Sequence, residues 1–131
     1  DVGRMQYAGF LKFQCGIDDL GDAIGASRIF YDNKIDVQEL LYSEDGAPHI
    51  GNDKEHPIVI TETDGYVHLE YVITDILFQL KNLDSKMISQ QCFSVGDKKL
   101  DRLCFEVKSA QDKKPREVEV YFDITAGYNA V

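Results

Sequence analysis

Hydrophobic and polar residues alternate most strictly near the end of the chain. In Glu117–Ile124, Val118, Val120, Phe122 and Ile124 alternate with Glu117, Glu119, Tyr121 and Asp123. A period of two puts one set on a buried face and the other in water, the pattern of a strand in a half-covered sheet. Arg102–Lys108 repeats it with Leu103, Phe105 and Val107. The polar stretch Ser109–Arg116 between them, with Pro115, reads as the loop of a hairpin.

Two more hairpins are expected. Ile58, Val59 and Ile60 lead through Thr63-Asp64-Gly65 into Val67, Leu69, Tyr71 and Ile73. Asp-Gly supplies the positive φ that tight hairpin turns need, and Tyr66, His68 and Glu70 would lie on the wet face. The third joins Gln91–Val95 to Arg102–Lys108 through Gly96-Asp97-Lys98-Lys99. For Phe93 and Val95 to share a face with Leu103, Phe105 and Val107, paired residue numbers must sum to an even number. Phe93 opposite Leu103 would then bring Cys92 opposite Cys104 on the other face.

Helical spacing is shorter-ranged. Ile17, Leu20, Ala23 and Ile24 recur every three or four residues, with Asp18 and Asp19 where a helix N-terminus favours anions and Gly25 as a stop. Arg28–Tyr31 reads as extended. Asp36-Val37-Gln38-Glu39 resembles a capping box before Leu40-Leu41-Tyr42. Ile73, Ile76, Leu77, Leu80 and Leu83 predict a helix over Asp75–Leu83 capped by Thr74, although Ile76, Phe78 and Leu80 also satisfy a strand. Gln6–Phe13 has the composition of an opening strand, and residues 45–57, rich in Gly, Pro and Asn, read as a loop. The fold class is therefore α+β in a single domain spanning 1–131: a mainly antiparallel sheet of hairpins, drawn largely from 58–73 and 91–124, with two or three short helices.

Composition supports a folded core. The 131 residues are 44% hydrophobic and 28% charged, with seven Tyr and seven Phe. Charge is distributed unevenly. Residues 1–80 hold fifteen Asp/Glu against five Lys/Arg, whereas residues 81–131 hold eight against nine, and the net charge is −9. This balance disfavours nucleic acid and anionic membrane surfaces, because the basic clusters Lys98–Lys99 and Lys113–Lys114–Arg116 fall in turns. The greasiest stretch, Tyr71–Leu80, is too short and too polar to span a bilayer. Cys15, Cys92 and Cys104 lack C-x-x-C spacing and fit reduced thiols in a cytoplasmic protein. The chain opens at Asp1 without a signal-like region; Met5 as a start, or Asp1 after a removed leader, are both compatible with this.

Catalytic signatures are fragmentary. His68-Leu69-Glu70 has the H-x-E order of zinc deaminases but no P-C-x-x-C accompanies it. His49 and His56 flank Asp53 and Glu55 at spacings that define no metal site. Asp32–Asp36 begins like a calcium loop, yet Val37 stands where Gly is required and Ser43 where the closing Glu belongs. Cys15 before Gly16 has no recognisable His partner. No catalytic residue, metal or cofactor is assigned.

The expected function is that of a non-enzymatic binding protein whose acidic N-terminal half engages a basic protein partner. An inhibitor or immunity protein of a toxin is one concrete form. Asp18, Asp19, Asp22, Asp32, Asp36, Glu39, Glu44 and Asp45 would steer the encounter, and Tyr31 and Tyr42 would anchor it. The alternative is a small-ligand-binding protein or enzyme with a pocket between sheet and helices, lined by Tyr66, His68, Glu70, Tyr121 and Asp123.

Overall fold

The alternating C-terminal segments build the sheet on which everything else rests. A computed structural model describes residues 17–35 and 50–130. The described elements are α1 (Leu20–Asp32), β1 (Ile58–Val59), α2 (Tyr66–Leu80), β2 (Asp84–Val95), β3 (Lys98–Lys108), β4 (Arg116–Asp123) and α3 (Thr125–Asn129). The strands form one sheet in the order β1-β4-β3-β2. Both β2–β3 and β3–β4 are antiparallel, but β1 joins β4 in parallel, with Ile58 opposite Phe122. The fold is α+β, and its sheet is mixed rather than wholly hairpin-built.

The hairpin of β3 and β4 follows the alternation. Leu103 faces Val120 and Phe105 faces Val118, so the apolar sets coincide on the face that the helices cover. The β2–β3 hairpin also forms, but its register differs from the expected one. Gly96-Asp97 is a two-residue turn that sets Val95 opposite Lys98, which pairs odd with even residues along the outer hairpin. Phe93 therefore faces Leu100, and Cys92 faces Asp101 rather than Cys104. Cys104 lies opposite Ser89 and Glu119 on the other side of the sheet, and both cysteines are free thiols. A bulge between Met87 and Ser89 restores even parity, so that Met87 meets Phe105. Phe93 is consequently directed away from the core and meets Tyr121 edge-on, with centroids 6.3 Å apart.

The expected hairpin over 58–73 does not form. Tyr66–Leu80 is a helix, about 22 Å long. Its buried positions, Leu69, Glu70, Ile73, Thr74, Ile76, Leu77 and Phe78, follow the helical period, while Val67 and Tyr71 are exposed. The run Val67, Leu69, Tyr71, Ile73 satisfied two periods at once, and tertiary packing selected the helical one. Gly65 does take a positive φ of 68°, but as the residue that starts the helix. Thr74 is no cap; its hydroxyl donates to the carbonyls of Glu70 and Tyr71 inside the helix. The helix expected from Asp75 to Leu83 is thus the second half of a longer one that ends at Leu80.

The first helix is likewise longer than its pattern suggests. It begins at Leu20, capped by Asp19, and continues through Gly25 and the supposedly extended Arg28–Tyr31 to Asp32. A Cβ on Gly25 would stand 2.9 Å from Leu69 Cδ2, so this glycine serves the crossing of α1 and α2 instead of ending a helix. Residues 50–57 contain neither helix nor strand, as expected of a loop. The expected strand Gln6–Phe13 and the short helix after Asp36 lie outside the described residues.

One side chain ties the end of α1 to the sheet. Asn33 Nδ2 donates to the carbonyls of Val59 (2.9 Å) and Ile29 (2.8 Å), and its Oδ1 accepts from the Val59 N–H at 2.9 Å. It mimics a neighbouring strand on the β1 edge, which no other described strand covers. Asn33→Ala is expected to cost about 1–2 kcal/mol, read as a lower urea midpoint with an unchanged slope.

Candidate functional site: an acidic cleft and a buried acid pair

The start of α1, the middle of α2 and the edge strand β2 enclose a cleft of about 480 Å³. Asp18, Asp19, Asp22 and Asp75 line it, and Ile17, Tyr71, Val72, Met87 and Phe105 supply its apolar surface. Among the described residues, no Lys or Arg lines it. Local geometry explains the arrangement. Asp19 is the N-cap of α1, accepting the Asp22 N–H at 3.0 Å, and so holds three acids within one turn. Asp22 turns both carboxylate oxygens toward His68 Nε2, each at 3.0 Å, which ties α1 to α2. Asp75 Oδ2 accepts from Gln79, one turn along.

Among the described residues, no ion pair joins Asp18, Asp19 or Asp75 to a Lys or Arg. At about 4 Å each unscreened carboxylate offers an approaching cation roughly 1 kcal/mol in water, and more where the low-dielectric wall excludes it.

The expected docking residues divide between separate places. Asp18, Asp19 and Asp22 share the cleft, whereas Tyr31 and Asp32 stand at the far end of α1, about 20 Å along its axis. Asp36, Glu39, Tyr42, Glu44 and Asp45 lie outside the described residues. Asp75 is the carboxylate the sequence reading left out, although its position in a predicted helix was in view.

The residues expected to line a ligand pocket do not converge. In a helix Tyr66 and Glu70 are one turn apart on a shared face, and His68 points elsewhere, toward Asp22. Tyr121 belongs to the sheet's other face, donating to Glu119 at 2.6 Å, and this bond together with burial raises its pKa. Asp123 lies one residue before the N-cap Ile124 of α3 and accepts from the Thr125 N–H and hydroxyl at 3.0 and 2.6 Å. His56 is paired with Asp53 at 3.0 Å, which lowers the Asp53 pKa. His49 and Cys15 lie outside the described residues. Among the described residues, no three of His, Cys, Asp and Glu gather as a ligand set.

A second cluster lies where α2 meets the sheet. Glu70 is completely buried, and among the described residues no donor reaches either of its carboxyl oxygens. It faces Asp101, itself 4% exposed. Burial first, and then the neighbouring carboxyl, pushes Glu70 up to about 9 from an ordinary 4.5. Gln90 Nε2 donates to Asp101 Oδ2 at 2.9 Å, and Tyr71 Oη donates to Gln90 Oε1 at 2.5 Å. A relay of side chains therefore runs from the cleft wall to the acid pair. Tyr66 and Cys92 border it, and both titrate above their ordinary values because of burial and the Asp101 charge. The Cys92 thiol is thereby kept protonated and weakly nucleophilic.

No protein-family model matches the chain, and no match is found among curated proteins or solved structures. Among the described residues, no helix is long and apolar enough to cross a membrane.

Proposed function

We propose that the chain is a non-enzymatic binding protein that receives a basic protein partner in the cleft between α1, α2 and β2. The observation that supports this reading is that Asp18, Asp19, Asp22 and Asp75 share the cleft with an apolar surface and, among the described residues, with no Lys or Arg. Lys and Arg side chains suit such a surface, because their aliphatic stems cover apolar area while their heads meet carboxylates. Charge accelerates the encounter, and burial of Tyr71, Val72 and Met87 slows separation. A protein that neutralises a basic toxin or nuclease by occupying its cationic surface is the concrete form this takes.

A fluorescent nona-arginine peptide tests the reading by anisotropy at about 0.02 M and about 0.15 M salt. The double variant Asp18→Asn/Asp75→Asn is expected to weaken binding about five- to thirtyfold at the lower salt, each lost contact being worth roughly 0.5–1 kcal/mol. Asp97→Asn/Glu117→Gln removes the same charge outside the cleft and is expected to change affinity less than about twofold. Equal losses from the two pairs would mean that net charge, not the cleft, attracts the peptide.

A further inference from the structure

Glu70 is a completely buried acid at the centre of a helix–sheet contact, and the cleft does not use it. Ionised carboxylates accept hydrogen bonds and cannot donate them, so two facing carboxyls attract only if one keeps its proton. Among the described residues neither Glu70 oxygen has a donor, and Asp101 already accepts from Gln90. The proton between the two acids is therefore the missing donor. We propose that Glu70 and Asp101 share one proton and so latch helix α2 onto the β2–β3 strand pair, and that loss of this proton releases α2 together with the cleft wall it carries.

The groups around the pair permit such a latch. From α2 the neighbour is Tyr66; from β2, Cys92 and the neutral Gln90; from α3, Tyr128; from β3, Asp101 and Lys99. Lys99 is the cation of this neighbourhood, and its ammonium group lies over the Tyr128 ring, 4.8 Å from the centroid. Among the described residues, therefore, no cation takes the proton's place between the carboxyls. The consequence reaches the cleft directly, since Tyr71, Val72, Thr74 and Asp75 lie on the same helix and line it. Tyr71 is also bonded through Gln90 to Asp101.

The direction of the pH dependence follows from the proton being held by the folded state. Glu70 titrates near 9 when folded and near the ordinary 4.5 when unfolded. The latch's stabilisation is complete below the unfolded value and is lost progressively as pH rises toward the folded one. Within that window one proton changes the unfolding equilibrium constant about tenfold per pH unit.

Wild-type protein with carbon-13 glutamate carboxyls and methionine methyls tests this by NMR titration, with urea unfolding at matched pH. Glu70 is expected to titrate alone near pH 9, and the Met87 methyl in the cleft to shift along the same curve. Glu70→Gln keeps an amide donor toward Asp101 but cannot ionise. It is expected to remove about a tenfold change per pH unit from the unfolding equilibrium and to leave Met87 unshifted. A Glu70 carboxyl that titrates with the other glutamates overturns the latch. So does a Met87 methyl indifferent to the Glu70 titration, or a pH slope that Gln leaves intact. The wild-type titration decides the matter even if the variant fails to fold.

Discussion

Replacing Phe122 with alanine is expected to lower the free energy of unfolding by about 3–5 kcal/mol. Phe122 is completely buried, on the strand that carries both kinds of pairing. Its backbone faces Asp101 of antiparallel β3 on one side and Ile58 of parallel β1 on the other. Truncating the ring removes apolar contact from both helices' side of the sheet and leaves a cavity that two paired neighbours hold open. Relaxation is restricted by those ladders, which places the effect toward the upper part of the usual range. Urea denaturation should show the loss as a shifted midpoint with little change in slope. A cost below about 1 kcal/mol would mean that β4 is not the centre of the core.

Gly127→Val is expected to cost about 2–3 kcal/mol by overpacking. A Cβ at Gly127 would lie 2.4 Å from Tyr66 Cδ1 and 2.8 Å from its Cγ, well inside van der Waals contact. Cγ is fixed close to the α2 backbone, so the ring cannot slide aside by small adjustments. Either Tyr66 swings away from the acid pair it borders or α3 lifts from the start of α2. The first outcome would also move the Tyr66 titration back toward that of free tyrosine, since burial is the main cause of its raised pKa. Thermal or urea unfolding measures the cost, and ultraviolet titration of tyrosine reports which element yields. Wild-type stability in this variant would show that the contact is loose.

Much of the sheet was legible because its strands are covered on one side only. Leu103, Phe105 and Val107 on β3 and Val118, Val120 and Phe122 on β4 alternate without exception, and no competing period fits them. The failures have a common origin in segments that satisfy two patterns. Val67, Leu69, Tyr71 and Ile73 alternate perfectly, yet Leu69, Ile73, Ile76 and Leu77 make a helical stripe of greater length. The longer pattern packs the helix against α1 and β2 and sets Phe78 edge-on to Phe105, and it prevailed. Parity in the β2–β3 hairpin was misjudged for a different reason. A two-residue turn and a bulge each change the pairing by one, and neither is written in the hydrophobic pattern.

The acid pair was open to inference from sequence, though it was not inferred. Asp101 sits at the buried parity of Leu103, Phe105 and Val107, and Glu70 sits one residue from Leu69 in the helical stripe of Ile73, Ile76 and Leu77. Two acids at core positions of different elements signal a buried pair once the helix is recognised. The cleft was less legible. Its carboxylates come from 18–22 and from Asp75, and only the crossing of α1 with α2 brings these segments together. Uneven charge along the chain pointed to the acids at the start of α1, which line the cleft, and also to Tyr31 and Asp32, which helix length carries away from it.

The central claim is that a basic partner seats in the cleft and nowhere else on this acidic surface. Amide chemical-shift mapping of the nitrogen-15 protein with nona-arginine at physiological salt tests this most directly. The account predicts shifts concentrated in 18–22, 71–75 and 85–87, the three segments that form the cleft walls. Shifts spread over every exposed carboxylate, or centred on Glu117 and Glu119 across the sheet, would contradict it.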